Sequence, residues 1–420
     1  MAIVKVQTKT GETRWRLRFY SGRDPETNKR IYLIRTFKRK KDADVEERRL
    51  AKLRDMGSTT APSKDTLAVY LRRWHNDVMK GRIAIRTWDD YSGIIRRYIE
   101  RPTVSAHAIH RRNVKEWEKD VLHVGKVRLD QLKPEILQTF YANLRDEAQL
   151  SPRTLRSIHA VIHQGLQYAL ETGAVARNVA DLTKLPKITR REVQAMSREE
   201  VREFLMAAQE SDEQGWPLTR HYALWCVLFS GGLRPSEALA LKWSDYEPET
   251  GKLRIQRALT RRGGGAGYRL ENVKTSRSRR TVLLSDFARD ALATHSLEQK
   301  KGRLRAGAEY LDEGFIFATE FGKPLDSSNI YRRDFTRIMR EAGIGEWVKD
   351  GVKDKFKPAY RMYDLRHTCA TLMLRGGVNA KVVSERLGHS SVAFTMDTYA
   401  AFLPEMQEEA ADVLNISLTT

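Results

Sequence analysis

Cysteine is almost missing: Cys226 and Cys369 are the two in 420 residues. Two cysteines build no disulfide framework, and neither has other ligating residues at zinc spacing. Both sit in apolar runs, ALWCVLF and TCATLML, so they read as buried free thiols in a reducing cytoplasm. Long hydrophobic runs are absent too, which excludes a bilayer-spanning helix. The start, MAIVKVQTK, reads as a short strand and not as a signal-peptide core. No fixed period supports a solenoid. The glycine run RRGGGAGYR (261–269) lacks the G-K-[ST] ending of a phosphate-binding P-loop and reads as a flexible loop between strands. Acidic residues are also in deficit. Against 75 Lys+Arg stand 54 Asp+Glu, a formal net charge of +21. An excess of that size points to a polyanionic partner, nucleic acid ahead of a membrane surface. The 41% hydrophobic content is enough for packed cores and excludes a disordered chain.

What is present divides into three units. Residues 1–57 are strongly basic. In TRWRLRFY, Arg14, Arg16 and Arg18 alternate with Trp15, Leu17 and Phe19, the pattern of a half-buried strand with a cationic outer face. KRIYLIRTF is a second long strand, and KKDADVEERRLAKLRDMG reads as a helix ending at Gly57. A small three-stranded sheet backed by one helix follows. Its arginines are either a solvated face or a surface for a DNA groove, and the neighbouring aromatics favour the groove.

Residues 58–65 have linker composition. Residues 66–185 read as an all-helical bundle built from TLAVYLRRWHNDVM, RTWDDYSGIIRRYIE, KPEILQTFYANLRDEA and SPRTLRSIHAVIHQGLQYALETG. The last opens with Ser151 as cap and Pro152 at its first position. The stretch 101–126 fits none of these, apart from a possible short helix around Val114–Leu122. After a basic linker (186–196), residues 197–420 mix helices with a small antiparallel sheet formed by KLRIQRAL, YRLENVK and RRTVLL.

Four motifs in this third unit put cationic or polar groups at structural boundaries. In GGLRPSEALAL, Arg234 stands at a helix start, a place suited to an anion or to a salt bridge, with Glu237 three residues on. In NVKTSRSRRTVLL, Lys274 lies on a hairpin, where a lysine reaches a phosphate or is merely solvated. In YDLRHTCATLMLRGG, Arg366 and His367 occupy the first turn of a helix. Arg366 suits a phosphate, and His367 reads as a satisfied core or supporting histidine. In RLGHSSVAFTMDTYAAFL, Gly388 stops a helix, His389 follows, Ser390 and Ser391 can cap the next, and Tyr399 lies two turns in. Alone, Tyr399 has the helical spacing of a core aromatic.

Taken in order, GLRPSEAL, a hairpin lysine, DLRHT.AT, LGHSS and a tyrosine ten residues after that histidine resemble the tyrosine recombinases, or phage-type integrases. The flanking units resemble that family's helical core-site-binding domain and the arm-site-binding domain of lambda-like integrases. The resemblance implies that Tyr399 attacks a DNA phosphate, giving a 3′-phosphotyrosyl link and a 5′-hydroxyl. Arg234 and Arg366 would clamp the phosphate oxygens, Lys274 would protonate the leaving 5′-oxygen, and His389 would donate a hydrogen bond. It further implies no metal and no ATP, double-stranded DNA with core and arm sites as partner, and a homotetramer on two duplexes. An accessory host or directionality factor and a place in the bacterial cytoplasm, at the nucleoid, belong to the same expectation.

One position departs from the family. Three residues before Arg366 a histidine is usual, and here stands Tyr363. Tyrosine donates one hydrogen bond but is no base near neutral pH. Either Tyr363 orients groups and the proton goes to water or a neighbour, or the enzyme is weakened. A DNA-binding architectural protein of the same fold and a type IB topoisomerase are the alternatives. The acidic tail PEMQEEAADVLNISLTT docks either on a neighbouring protomer or on its own domain.

Overall fold

The computed structural model describes residues 2–7, 11–23, 30–55, 65–100, 124–188, 192–210, 219–261, 267–273, 278–350 and 353–399. The chain divides into two compact units, Met1–Arg190 and Arg191–Thr420. Among the described residues no helix is long and apolar enough to cross a membrane. The architecture is multidomain, helices with small antiparallel sheets.

The first unit opens with β1 (Ala2–Gln7), β2 (Thr13–Arg23) and β3 (Arg30–Phe37), an antiparallel sheet in the order β1-β2-β3. Helix α1 (Lys40–Asp55) follows. Side chains alternate along β2 as its pattern requires: Leu17 and Phe19 are buried, while Arg16 and Arg18 are exposed. Arg14 is half-buried and held by Glu12 at 2.6 Å. Residues directly opposite share a face, so Val4 and Thr36 accompany Arg16, and Ile34 accompanies Arg18. Val4 and Ile34 are both exposed, so the arginine face is interleaved with apolar side chains.

The helical part runs through α2 (Leu67–Arg73), α3 (Ile85–Ile94), α4 (Pro134–Asp146) and α5 (Pro152–Glu171). Helices α2 and α3 each continue into a turn of wider π geometry, Trp74–Met79 and Ile95–Glu100. Ser151 caps α5 by accepting the Thr154 N–H, as its sequence predicts. Leu155, Ile158, Ile162, Leu166 and Ala169 then recur at helical spacing and fill the bundle core with Leu71, Trp74, Phe140 and Tyr141. The expected helix around Val114–Leu122 lies outside the described residues.

The second unit is built around α7 (Tyr222–Gly231), buried on every side, as its all-apolar sequence demands. Trp225 packs with Phe204 of α6 (Arg198–Ala207) and with Phe335. A reciprocal capping pair, Ser197 with Glu200, starts α6. After the single turn α8 (Pro235–Ala238) come β4 (Tyr246–Glu247), β5 (Lys252–Ile255), β6 (Arg257–Arg261), β7 (Tyr268–Asn272) and β8 (Arg280–Leu283). They form two sheets, β4-β5-β8 and β6-β7. Then follow α9 (Asp286–Ala306), α10 (Thr336–Glu341), a hairpin of β9 (Gly345–Asp350) and β10 (Lys353–Pro358), and the helices α11 (Asp364–Arg375), α12 (Ala380–Leu387) and α13 (Val392–Tyr399).

Three expectations change. KLRIQRAL is not one strand, because the chain breaks at Gln256 and its halves join different sheets. YRLENVK and RRTVLL therefore do not form a hairpin: β7 pairs with β6 and β8 pairs with β5. The helix begun by RPSEALAL stops after one turn, because Ile316 donates to the Leu241 carbonyl and draws the chain into extended pairing. Lys274 itself and the acidic tail lie outside the described residues.

Candidate functional site

Tyr399 closes α13, whose first turn is capped by Ser391 accepting the Phe394 N–H at 3.1 Å. Its side chain is 0% exposed and packs with Ala370, Leu374, Val383 and Leu387. Burial holds the phenol well above the usual tyrosine range. Its hydroxyl lies 2.9 Å from Nδ1 of His367.

Arg366, in the first turn of α11, is the most deeply placed cation among the described residues, at 0% exposure. It donates to the Gly232 carbonyl at 2.8 Å and to the Leu387 carbonyl at 2.6 Å. These carbonyls end α7 and α12, where helix dipoles concentrate negative charge. Gly232 has φ +61°, and a Cβ there would stand 2.7 Å from Leu387 Cδ2, so glycine alone lets the two helix ends meet at Arg366. Burial and the nearby Arg234 push the Arg366 pKa down, yet a guanidinium stays charged at neutral pH. Its Nε–H is buried and has no acceptor among the described residues.

Arg234 stands at the start of α8 and reaches Glu237 at 2.6 Å. Glu237 also accepts the Arg234 backbone N–H and the Arg280 guanidinium, the latter at 2.8 Å. Arg280 in turn donates to the Arg386 carbonyl at 2.6 Å, tying β8 to the end of α12. One buried carboxylate thus fixes two arginines, one on each side. His389 follows Gly388, which takes the left-handed conformation (φ +68°) at the end of α12. Burial, with Arg366 and Arg234 close by, drives its imidazole down to about 3, so it is neutral. Its Nδ1 pairs with Thr395 Oγ1 at 2.7 Å, and its ring lies parallel to that of Tyr399 at 6.5 Å. A cavity of about 420 Å³ adjoins it, lined among others by Arg279, Arg280, Lys381 and Gly388.

Tyr363 is 39% exposed and sits just before α11. It interacts with Arg234 and meets the His367 ring edge-on at 5.2 Å. Tyr399, Arg366, Arg234, His389 and Tyr363 are therefore brought together. Arg14, Arg16 and Arg18 belong to the other unit. Two residues gain weight that the sequence did not give them. His367, read as a supporting histidine, is bonded to the Tyr399 hydroxyl, and Arg280 shares Glu237 with Arg234. Nothing in SRSRRTVLL separates Arg280 from its neighbours. Both cysteines are buried, with thiols raised to about 11 by burial, so they are inert, as their apolar flanks suggested.

Comparison with known proteins places the chain in a family. The chain is 26% identical to a "Tyrosine recombinase XerC-like" protein of Caldanaerobacter subterraneus subsp. tengcongensis, over 97% of each chain. It is 24% identical to the integrase of Mycobacterium phage L5, over 92% of this chain and 91% of that one. Its fold resembles a Tn1549 transposon integrase in complex with a circular intermediate DNA, with TM-score 0.60 and 19% identity over 82% of this chain and 99% of that one. The model of the phage integrase family matches residues 194–406, just over half the chain. That stretch contains the whole cluster around Tyr399, and the chain belongs to the phage integrase family, the tyrosine recombinases.

Proposed function

We propose that this protein is a site-specific recombinase that cuts and rejoins DNA to integrate or excise a phage or other mobile element. Tyr399 is the nucleophile. Its oxygen attacks the scissile phosphorus, the bond to the 5′-oxygen breaks, and a 3′-phosphotyrosyl ester and a 5′-hydroxyl result. The ester conserves the bond energy for rejoining. Arg366 and Arg234 hold the non-bridging oxygens and stabilise the charge that grows in the transition state. His389, neutral but still carrying one N–H, donates to the same phosphate. Lys274 protonates the leaving oxygen.

The observation that carries this reading is the Arg366 guanidinium. Two of its nitrogens are pinned to helix-end carbonyls while its buried Nε–H lacks an acceptor among the described residues, in electrostatic reach of Tyr399. A buried donor left unpaired costs about 1–3 kcal/mol, which an incoming phosphate oxygen recovers. Such fixed, preorganised cations make the phosphorus more electrophilic, as a phenol whose proton burial holds more tightly than usual requires.

In the same proposal, residues 197–420 are the catalytic domain, 66–185 the core-site-binding domain and 1–57 an arm-site-binding domain that uses Arg14, Arg16 and Arg18. DNA is the partner, and four protomers act on two duplexes. The core-site part of the proposal draws support from a lambda integrase structure, a dimer bound to a core site, which the fold resembles at TM-score 0.50 and 16% identity over 94% of this chain and 93% of that one. The test is a nicked duplex carrying the core site that this chain selects from a random-sequence pool. The wild type should leave a covalent protein–DNA adduct on denaturing gels, and Tyr399→Phe should leave none. An adduct that survives Tyr399→Phe overturns the assignment.

A further inference from the structure

The nucleophile must lose its proton, and the position where the family resemblance expects a histidine holds Tyr363. A phenol there cannot accept a proton near neutral pH. One turn further into α11, His367 Nδ1 stands 2.9 Å from the Tyr399 hydroxyl, within the range a general base needs. The rings are 5.6 Å apart and steeply inclined, a T-shaped arrangement in which these two atoms make the polar contact. We infer that His367 is the general base that takes the Tyr399 proton as the phenol attacks, a catalytic role displaced by one turn of helix from position 363. The inference rests on Tyr399 being the nucleophile.

A lone pair on the Tyr399 oxygen forms the bond to phosphorus while its proton passes to Nδ1 of His367, with the other ring nitrogen protonated. The phosphorus–5′-oxygen bond breaks, and its electron pair stays on the 5′-oxygen, which receives a proton from Lys274. Rejoining runs the same path backwards, and the His367 imidazolium returns its proton to the departing Tyr399.

The surroundings suit a base that waits unprotonated. Burial is the main influence on His367 and lowers it to about 4, with Arg366 and Arg361 acting in the same direction and Asp364 opposing them. Tyr363 lies against its ring, and Tyr399 and His389 face it from α13 and the turn before it. At neutral pH the accepting form is therefore the populated one. The phosphodiester that enters beside Arg366 brings negative charge, which raises the basicity of His367 when it is needed. The tyrosine beside Arg234 then has a different role. Tyr363 orients the cation and the histidine and accepts no proton.

The experiment measures single-turnover adduct formation by the full chain on the same selected nicked duplex. It compares wild type, His367→Asn and His367→Ala across about pH 6 to 8, with DNA binding and thermal melting in parallel. Asparagine sets its amide oxygen near the Nδ1 position, so it keeps the hydrogen bond but cannot act as a base. His367→Asn should bind DNA as wild type does and form adduct about 100-fold more slowly. Its rate should climb about tenfold per pH unit as hydroxide replaces the base, while the wild-type rate stays flat. Added imidazole should partly restore His367→Ala. A His367→Asn rate and pH profile equal to wild type would make the contact a mere positioning bond and overturn the proposal alone. Absence of any Tyr399-dependent adduct from the wild type overturns the recombinase reading and this proposal with it.

Discussion

Arg16 and Arg18 stand on the open face of a three-stranded sheet, beside exposed Val4 and Ile34. Arg366 and Arg280 lie inside the second unit, with side chains at most 6% exposed, and each is bonded to backbone carbonyls or to Glu237. The two sets differ in what their charge can do. Exposed guanidiniums are hydrated and screened by salt, so they lend affinity to any phosphate backbone and lose it as salt rises. Buried guanidiniums cannot move and are poorly screened, and their solvation was replaced during folding by helix-end carbonyls. In the proposed mechanism they are preorganised for charge that appears later, in a transition state. The first set suits binding and the second suits chemistry.

The largest effect that tests this contrast is Arg366→Lys. The charge is kept, but a lysine cannot reach two carbonyls in a fixed fork and still offer an N–H to a phosphate. Adduct formation should fall about 100- to 1,000-fold with DNA binding little changed. An unimpaired Arg366→Lys enzyme would mean that charge alone suffices and that the carbonyl fork is incidental.

A middle-sized effect is expected from acid. His221, His367 and His389 are held by burial at about 3, 4 and 3. Each is neutral in the fold but takes a proton near pH 6.5 when unfolded. Their folded values are depressed, so the unfolded state binds more protons in between. Stability of the second unit is fully present above about pH 6.5 and is lost as pH falls through about 4 to 3. Glu237, with a pKa lowered by the Arg280 and Arg234 guanidiniums in spite of its burial, adds to the loss in the same direction. Urea unfolding at a series of pH values checks this, and a flat profile over the window contradicts it.

The smallest effect belongs to the exposed set. Replacing Arg16 and Arg18 with alanine should weaken DNA binding on arm sites and reduce the salt slope by about one for each residue that contacts a phosphate. Adduct formation on the core site should be unchanged. If it falls with the arm-site affinity, the separation of binding from chemistry fails.

Much of the site was legible along the chain because its residues sit at helix boundaries, and boundaries leave local signatures. Gly388 with Ser391, Pro235 after Arg234, and Asp364 at the head of α11 mark the ends on which His389, Arg234 and Arg366 stand. The β9–β10 hairpin was not legible. GEWVKDGVKDKFKP is rich in lysine and looks like a loop, and what supports the pairing is the cross-strand contact of Trp347 with Phe356, rings 5.6 Å apart. The helix that RPSEALAL begins is shorter than its sequence suggests, since helix propensity is a weak preference beside the isolated bridge of Lys242 with Phe315 and the Ile316–Leu241 hydrogen bond.

The sequence by itself determined the strand faces, and the helix ends that carry Arg234, Arg366, His389 and Tyr399, since short-range capping, glycine stops and alternation are local physics that each segment carries with it. Only the tertiary structure decided which of them touch. Arg366 is charged wherever it lies, but its fork exists because the ends of α7 and α12 converge on it across 134 and 21 residues of chain. The Tyr399–His367 bond spans 32 residues in the same way. Burial, which turns an ordinary histidine into a waiting base and an ordinary arginine into a fixed charge, is a property of the packed unit and of no segment within it.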